Sequence, residues 1–185
     1  MKTWFTFFLL AMTVAVSASA ADLSNAPRLA RSTMAIAEKN LDNRFTRLWS
    51  DNPVPVLGPT RGVYLEGYGV VLTAEVNLVA GPPLTLFNPA ITKEYAAEHK
   101  QAKIKRLPQI KAEMQTALVD IAASKEMAAV SPDEQIVLVV FLSHFPWEDL
   151  SGIPGQIMVQ SSKKKLLEAK SSGASPESAI QLAQF

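Results

Sequence analysis

The apolar run IVLVVFL at residues 136–142 decides the fold of this chain. A short run without polar alternation, rich in β-branched residues, is typical of a strand that is covered on both faces. The preceding SPDE at residues 131–134 favours a turn, because Pro and Asp suit turn conformations. We therefore expect residues 136–142 to form the central strand of a sheet, with covering structure on each side.

A second strand is predicted in VYLEGYGVVLTAEVNLV at residues 63–79. Over residues 72–78 apolar and polar residues alternate, and this period of two is typical of a half-buried strand. Gly67 and Gly69 interrupt the start of the run and indicate a bulge or a bend between two strand pieces. A third, short strand is expected at residues 156–160.

Amphipathic helices are predicted on either side of the second strand. Over residues 27–49 apolar residues recur at steps of three and four, with most charges off that stripe. A longer helix is expected from about residue 88 to residue 127, in which Pro108 predicts a kink or two abutting helices. We place Lys103 outside the apolar stripe of this helix. The stripe comprises Leu107, Ile110, Met114, Leu118 and Ile121.

Two short helices are expected near the end of the chain, over residues 161–171 and from residue 175 towards Phe185. A helix as long as 88–127 between two strands suits a right-handed parallel crossover, whereas the third strand follows by a loop and is expected antiparallel at an edge. The sequence therefore predicts an α+β, or mixed α/β, fold. It would have a small mixed sheet of about three to four strands packed against amphipathic helices, with one β-α-β crossover.

The first 20 residues have the pattern of a secretory signal peptide. Lys2 supplies a basic start, residues 4–16 are uncharged and mostly apolar, and Ala18 and Ala20 form a small-residue cleavage site. The apolar run falls short of the ~20 residues that a membrane-spanning helix needs. We therefore predict cleavage after Ala20, an exported protein that is periplasmic or secreted, and no transmembrane segment after cleavage.

The composition excludes several classes of protein. The 185 residues include no cysteine and two histidines, with 18 Lys and Arg against 17 Asp and Glu. Without cysteine there is no disulfide scaffold, thiolate nucleophile, zinc ribbon or lipid-modified cysteine. Removal of Lys2 with the leader leaves equal numbers of basic and acidic residues, which gives no field for binding nucleic acid. Residues 21–185 are expected to form a single globular α/β domain, and neither a metal nor a cofactor is predicted.

The loop after the central strand, residues 143–149 (SHFPWED), collects the candidate catalytic groups. His144, Glu148 and Asp149 offer an imidazole and two carboxylates, and sites in open α/β sheets gather beyond the carboxyl ends of parallel strands. A hydrolase also needs a nucleophile, a base and an orienting group that converge, and the sequence shows no strand-to-helix nucleophile elbow. The alternative is that His144 is an ordinary exposed or hydrogen-bonded histidine.

Aromatic side chains supply the candidate binding residues. Phe145 and Trp147 in this loop would form a platform, and Tyr68 would line a groove beside the two glycines that flank it. The alternative for Phe145 and Trp147 is an aromatic cover over the core. The Gly-Tyr-Gly motif does not predict a phosphate-binding loop, because a strand and not a helix N-terminus follows it.

Two further features of the sequence are candidate sites. Two histidines far apart in a chain without cysteine do not make a zinc site, so His99 is expected to be a solvated helix residue. The run Lys163–Lys165 would contact anionic lipid or glycan in an exported protein. The alternative is that the three lysines form a solvated helix face.

Parts of the chain resemble a group of uncharacterised exported bacterial proteins. They are YLEGYGVVLTAEVNL at residues 64–78, which is a YLxGYGVV-type strand, PDEQ at 132–135 and SSKKKL at 161–166. In that group a signal peptide precedes a Tyr-Gly strand, a helix and a second strand. The resemblance covers about residues 60–170, and it implies no activity and no site residues.

These observations favour a non-enzymatic binding or structural domain of the cell envelope. Its partner would be an envelope or secreted protein, or a second copy of the chain, and not nucleic acid. The first alternative is a hydrolase-like enzyme with a site around Ser143–Asp149. The second is a peripheral surface-binding module that uses Lys163–Lys165 and Trp147. Enzymatic activity stays an open question, with the scarcity of catalytic residue types against it.

Overall fold

A computed structural model describes residues 29–49, 57–82 and 91–185. The predicted signal peptide, including Ala18 and Ala20, lies outside the described residues. The described helices are α1 (Arg31–Arg47), α2 (Lys93–Ala122) and α3 (Lys163–Ser172), with 3₁₀ turns at Lys125–Met127 and Pro176–Ser178. The described strands are β1 (Arg61–Leu65), β2 (Gly69–Val76), β3 (Gln135–Leu142), β4 (Gln156–Ser162) and β5 (Gln181–Gln184).

The five strands form one mixed sheet in the order β1-β2-β3-β4-β5. β2 and β3 are parallel and are connected through α2, whereas the other three neighbouring pairs are antiparallel. The predicted mixed α/β fold with one β-α-β crossover is therefore confirmed. The sheet has five strands where about three to four were expected, since the run at 63–79 forms two strands and a further strand ends the chain.

β3 is central, as the run at 136–142 predicts, because it pairs with β2 on one side and β4 on the other. Its residues Ile136, Leu138 and Val140 are fully buried, in one core cluster with residues of α1 and α2. The residues that alternate with them belong to the other face of the sheet. The described helices cover only the face that carries Ile136, Leu138 and Val140. The sequence predicts cover on both faces of β3, and the described helices provide it on one.

The glycines at 67 and 69 mark a hairpin turn between β1 and β2. Tyr68 N–H donates to the carbonyl of Leu65 at 3.0 Å, and β1 folds back antiparallel along β2. Gly69 has a φ of 128° and lies so close to β3 that a Cβ there would be 2.0 Å from the carbonyl oxygen of Gln135. Glycine is required at this position both for its φ and for the close approach of the two backbones.

The helix predicted from residue 175 towards Phe185 is wrong. Only Pro176–Ser178 forms a helical turn, and β5 pairs antiparallel with β4. Phe185 continues this pairing, since its N–H donates to the carbonyl of Gln156 at 3.1 Å. The backbone of β4 gains hydrogen-bond partners along its second edge, and this gain outweighs the local preference of the segment for a helix. β4 is antiparallel to β3 as expected, but β5 removes it from the edge.

α2 is a single helix of 30 residues that continues through Pro108. Of the two predicted outcomes for this proline, the pair of abutting helices is therefore wrong. Ile110, Met114 and Leu118 are fully buried in the core cluster, as the predicted stripe requires. Thr92 is the N-cap of α2. Its hydroxyl accepts a hydrogen bond from Tyr95 N–H at 3.1 Å and so caps the first turn.

Replacing the hairpin glycines by alanine is expected to destabilise the protein in a fixed order. Gly69→Ala should cost more than about 2 kcal/mol of unfolding free energy, because it combines an unfavourable φ with a backbone clash. Gly67→Ala should cost about 1 kcal/mol, since its φ is 76° but nothing lies within 4 Å of the added carbon. Gly58→Ala, which has neither constraint, is the matched control. Urea unfolding of the three variants tests the order, and equal losses at positions 69 and 58 would contradict it.

Candidate functional site

The loop at residues 143–149 follows β3 at the carboxyl end of the parallel pair, where the sequence placed the candidate site. Phe145 and Trp147 stack with their ring planes 4° apart and their centroids at 5.4 Å. Tyr95 of α2 lies 5.9 Å from the Trp147 ring, centroid to centroid. Gly81 leaves room for the Phe145 ring, because a Cβ at Gly81 would lie 2.7 Å from it. The loop is therefore packed onto α2 and onto the segment that follows β2.

Beneath this stack lies a buried ion pair between α2 and the loop. Lys103 Nζ and Glu148 Oε2 are 2.5 Å apart, and the two side chains are 3% and 5% exposed. Lys103 also donates to the carbonyl of Ser143 at 3.1 Å. Two ions removed from water need close pairing and further hydrogen bonds to offset their lost hydration. The second bond of Lys103 supplies this for the ammonium group, which thereby fastens both ends of the loop.

His99 lies one helical turn before Lys103 and faces the same carboxylate. Its Nε2 is 3.3 Å from the carbonyl oxygen of Ala80, within hydrogen-bond geometry. Its Nδ1 is 3.3 Å from Glu148 Oε1, but these two atoms are not aligned for a hydrogen bond, and neither has a hydrogen-bond partner among the described residues. Burial lowers the pKa of His99 below its ordinary value of 6.5, against the opposing attraction of Glu148. The imidazole is therefore held neutral beside a carboxylate.

The predictions that His99 is solvated and that Lys103 lies outside the buried stripe are both wrong. His99 is 4% exposed and Lys103 is 2% exposed. The steps of four from His99 to Lys103 and from Lys103 to Leu107 continue the apolar stripe towards the start of α2. This spacing is the signal in the sequence that both residues belong to the buried stripe. It does not predict their burial by itself, because ionisable residues are mostly exposed unless they are paired. Their partner Glu148 is distant in sequence.

The other candidate catalytic groups of the loop do not join this cluster. Ser143 donates its hydroxyl to the Glu75 carboxylate. The Lys100 ammonium at 2.6 Å, with Ser151, holds the pKa of Asp149 well below its usual range. His144 is exposed and forms no hydrogen bond or ion pair with the described residues. The structure thus brings Glu148 together with His99 and Lys103, and it does not bring it together with His144.

Of the three candidate binding residues, the structure brings two together. Phe145 and Trp147 form the stack described above. Tyr68 is 44% exposed in the β1–β2 turn, and its carbonyl accepts a hydrogen bond from Gln135 N–H at the other end of β3. The length of the strand puts it about 23 Å from the loop. Tyr68 therefore does not join the aromatic pair.

The lysine run does not form a uniform surface. Lys163 is 9% exposed, and its Nζ donates to the carbonyls of Met127 and Val130, each at 2.7 Å. Lys164 and Lys165 are exposed. Lys164 and Lys165 therefore form a solvated face, whereas Lys163 fastens the start of α3 to the 3₁₀ turn after α2.

No described helix covers the outward face of the sheet, which carries large apolar side chains together with polar ones such as Gln135, Gln156 and Gln160. On β3 this face carries Val137, Val139 and Phe141, of which Phe141 is 44% exposed. Val137 is buried, but it is not part of the core cluster that the helices share. On β1 the face carries Val63 and Leu65, which are 49% and 47% exposed. Antiparallel sheets with one solvated face normally place polar residues on it.

The outward face is also nearly free of charge. Among its strand residues only Arg61 and Glu75 are ionisable, and their charges are opposite. We refer to this surface as the open face, defined by the residues of β1 to β5 that alternate with the core-facing ones. Exposed large apolar side chains on a face that no helix covers make this face a candidate interaction site.

Among the described residues, no three His, Cys, Asp or Glu side chains are grouped so as to hold a metal ion. None of the helices within 29–49, 57–82 and 91–185 combines the length and apolarity needed to cross a membrane. Comparison with protein families, with curated proteins and with solved structures finds no match for this chain. The features that bear on function are therefore the buried cluster of His99, Lys103 and Glu148, and the open face.

Breaking the buried ion pair on one side is expected to destabilise the protein strongly. Lys103→Met should cost about 3–5 kcal/mol of unfolding free energy, because it leaves the Glu148 carboxylate buried without its cation. Adding Glu148→Gln to Lys103→Met should restore part of the loss, since no unpaired charge then remains. Urea unfolding measures both effects.

The control for this prediction is Lys100→Met, one turn away on the same helix. Its partner Asp149 is 67% exposed, so water replaces the lost ammonium and the loss should be a small fraction of that at Lys103. Equal losses for Lys100→Met and Lys103→Met would contradict a special role for the buried pair.

Proposed function

We propose that this chain is an exported, non-enzymatic structural domain of the cell envelope that works as a pair of identical chains joined through the open face. The observation that carries the proposal is the exposure of large apolar side chains on the outward surface of the sheet, with Val63, Leu65 and Phe141 each more than 40% exposed. Leaving these side chains in water forfeits about 25 cal/mol for each Å² of apolar surface that a partner would cover. A partner that covers it is the simplest physical reason for its composition.

The size of the open face suits a partner of modest area. Four spacings of about 4.8 Å across five strands, and about 26 Å along an eight-residue strand, give roughly 500 Å² per chain. Two such faces would bury about 1,000 Å² together, which is the lower limit for a specific protein interface. Two sheets of this kind pack face to face about 10 Å apart with interdigitating side chains.

The charge of the face favours a second copy as the partner. A two-fold pair brings the same residues to the interface twice, so any excess charge on the face would repel its own copy. Arg61 and Glu75 cancel, and the remaining outward strand residues are uncharged. A nearly neutral face with exposed apolar side chains meets the requirement for self-association without a specifically charged partner.

Support for the other parts of the proposal comes from the leader and the loop. The basic start, apolar run and Ala18-x-Ala20 site favour export, and so does the resemblance to exported bacterial proteins. The engagement of Ser143 with Glu75 and of Glu148 with Lys103 favours a fastening role for the loop over hydrolysis. A nucleophile and a base that serve a reaction would need to converge on each other.

Introducing a charge into the open face is expected to dissociate the pair. Phe141→Asp should weaken self-association at least tenfold, because two carboxylates would be buried at the contact between the chains. Leu167→Asp is the matched control, since Leu167 is 37% exposed on α3, away from the open face. Sedimentation equilibrium of both variants measures the change. A wild-type protein that stays monomeric at high concentration, or equal weakening by both variants, would overturn the proposal.

Export is tested separately from self-association. The full chain, produced in a bacterial host, should be recovered outside the cytoplasm with Ala21 as its first residue, because the small-residue site ends at Ala20. N-terminal sequencing of the fractionated protein measures this. Recovery only in the cytoplasm with residues 1–20 intact would contradict export and leave the interface result unaffected.

A further inference from the structure

His99 has a hydrogen-bond acceptor near each of its ring nitrogens. Nε2 lies 3.3 Å from the Ala80 carbonyl oxygen, and Nδ1 lies 3.3 Å from Glu148 Oε1. A neutral imidazole has only one N–H to donate. With that proton on Nε2, both Nδ1 and Oε1 are buried acceptors without a donor. Two adjacent acceptors without a hydrogen atom between them are an unfavourable arrangement in a protein interior.

One added proton on Nδ1 would place a positive charge 3.3 Å from Oε1, although the two atoms must move before they can form a hydrogen bond. Two effects oppose protonation of His99. The ring is buried, and the Lys103 ammonium group already pairs with the same carboxylate. The charged and titratable groups that face the ring are Lys103 and Tyr95 from α2 and Glu148 from the loop. A protonated His99 would leave two buried cations sharing one carboxylate, and the excess charge requires water.

Among the described residues, the 143–149 loop contributes two of the three aromatic rings that pack against His99. Trp147 packs edge-on against the His99 ring at 5.0 Å between centroids, and Phe145 packs at 6.2 Å. Both belong to the loop that Glu148 fastens to α2. A change of charge on His99 therefore acts directly on the residues that keep this loop closed.

We propose that His99 is a proton-controlled latch for the 143–149 loop. While His99 is neutral, the aromatic pair stays closed over α2; when it is protonated, the loop lifts and admits water to the imidazolium. The folded protein protonates this ring less readily than the unfolded chain, so the closed form is stable above pH 6.5. Its stability falls as the pH drops below 6.5 towards the lowered pKa of the folded state. This inference does not depend on self-association through the open face.

The experiment follows the two histidines and Trp147 in the full chain. Trp4→Phe with Trp49→Phe leaves Trp147 as the only tryptophan. Histidine ring ¹⁵N NMR shifts between pH 7.5 and 5 give the titration of each ring, and Trp147 fluorescence reports opening. We expect His99 to titrate below pH 6.5 and Trp147 emission to shift to the red with the same midpoint. Acrylamide should quench the fluorescence more strongly after the transition.

Two substitutions separate the latch from general acid effects. His99→Gln keeps a donor for Ala80 but cannot take up a proton, so the shift in Trp147 emission should be lost. His144→Gln removes the exposed histidine in the loop itself and should leave the shift unchanged. An emission shift that persists in His99→Gln, or that disappears in His144→Gln, would overturn the proposal. The proposal would also be overturned by a His99 ring that titrates at or above pH 6.5, or by one that titrates without any change in Trp147 emission. These two results come from a protein with His99 intact, so they do not require the His99→Gln variant to fold.

Discussion

The parallel pairing of β2 with β3 is the constraint on which the rest of the structure depends. Parallel neighbours cannot be joined by a tight turn, so the chain needs a long crossover, and α2 with its 30 residues provides it. A crossover helix must pack on one face of the sheet. The described helices share one core cluster with that face, and the hairpin partner β1 joins through a short turn that adds no second layer. The asymmetry between a covered face and an open face follows from this connection.

The sequence predicts the parts of the fold that local periodicity controls. The runs at 72–78 and 136–142 carry their strand character in their own residues, and α2 carries its buried stripe in the same way. β5 was missed because its strand state comes from pairing with β4, which no pattern in residues 181–184 reveals. The pairing outweighs local preference, as tertiary context commonly does.

The buried cluster was missed for a different physical reason. A lysine or histidine on a helix is read as solvent-facing because an unpaired charge is costly to bury, and only a partner reverses that rule. Glu148 is that partner for Lys103, and the two are 45 positions apart in the chain. The loop that contains it was recognised as a place where polar groups collect. Its arrangement, with Glu148 and Asp149 held by α2 and Ser143 held by β2, depends on the folded geometry and so could not be derived from the sequence.

The burial of Lys163 gives the lysine run a chemical asymmetry. Its ammonium is enclosed by two carbonyl oxygens, whereas Lys164 and Lys165 extend into solvent. Acylating reagents, modifying enzymes and proteases that recognise lysine therefore meet two available amines and one that is shielded until the chain opens. Three residues that are identical in the sequence are thus distinct substrates, and the reactivity of the first reports whether the junction between β4 and α3 is intact.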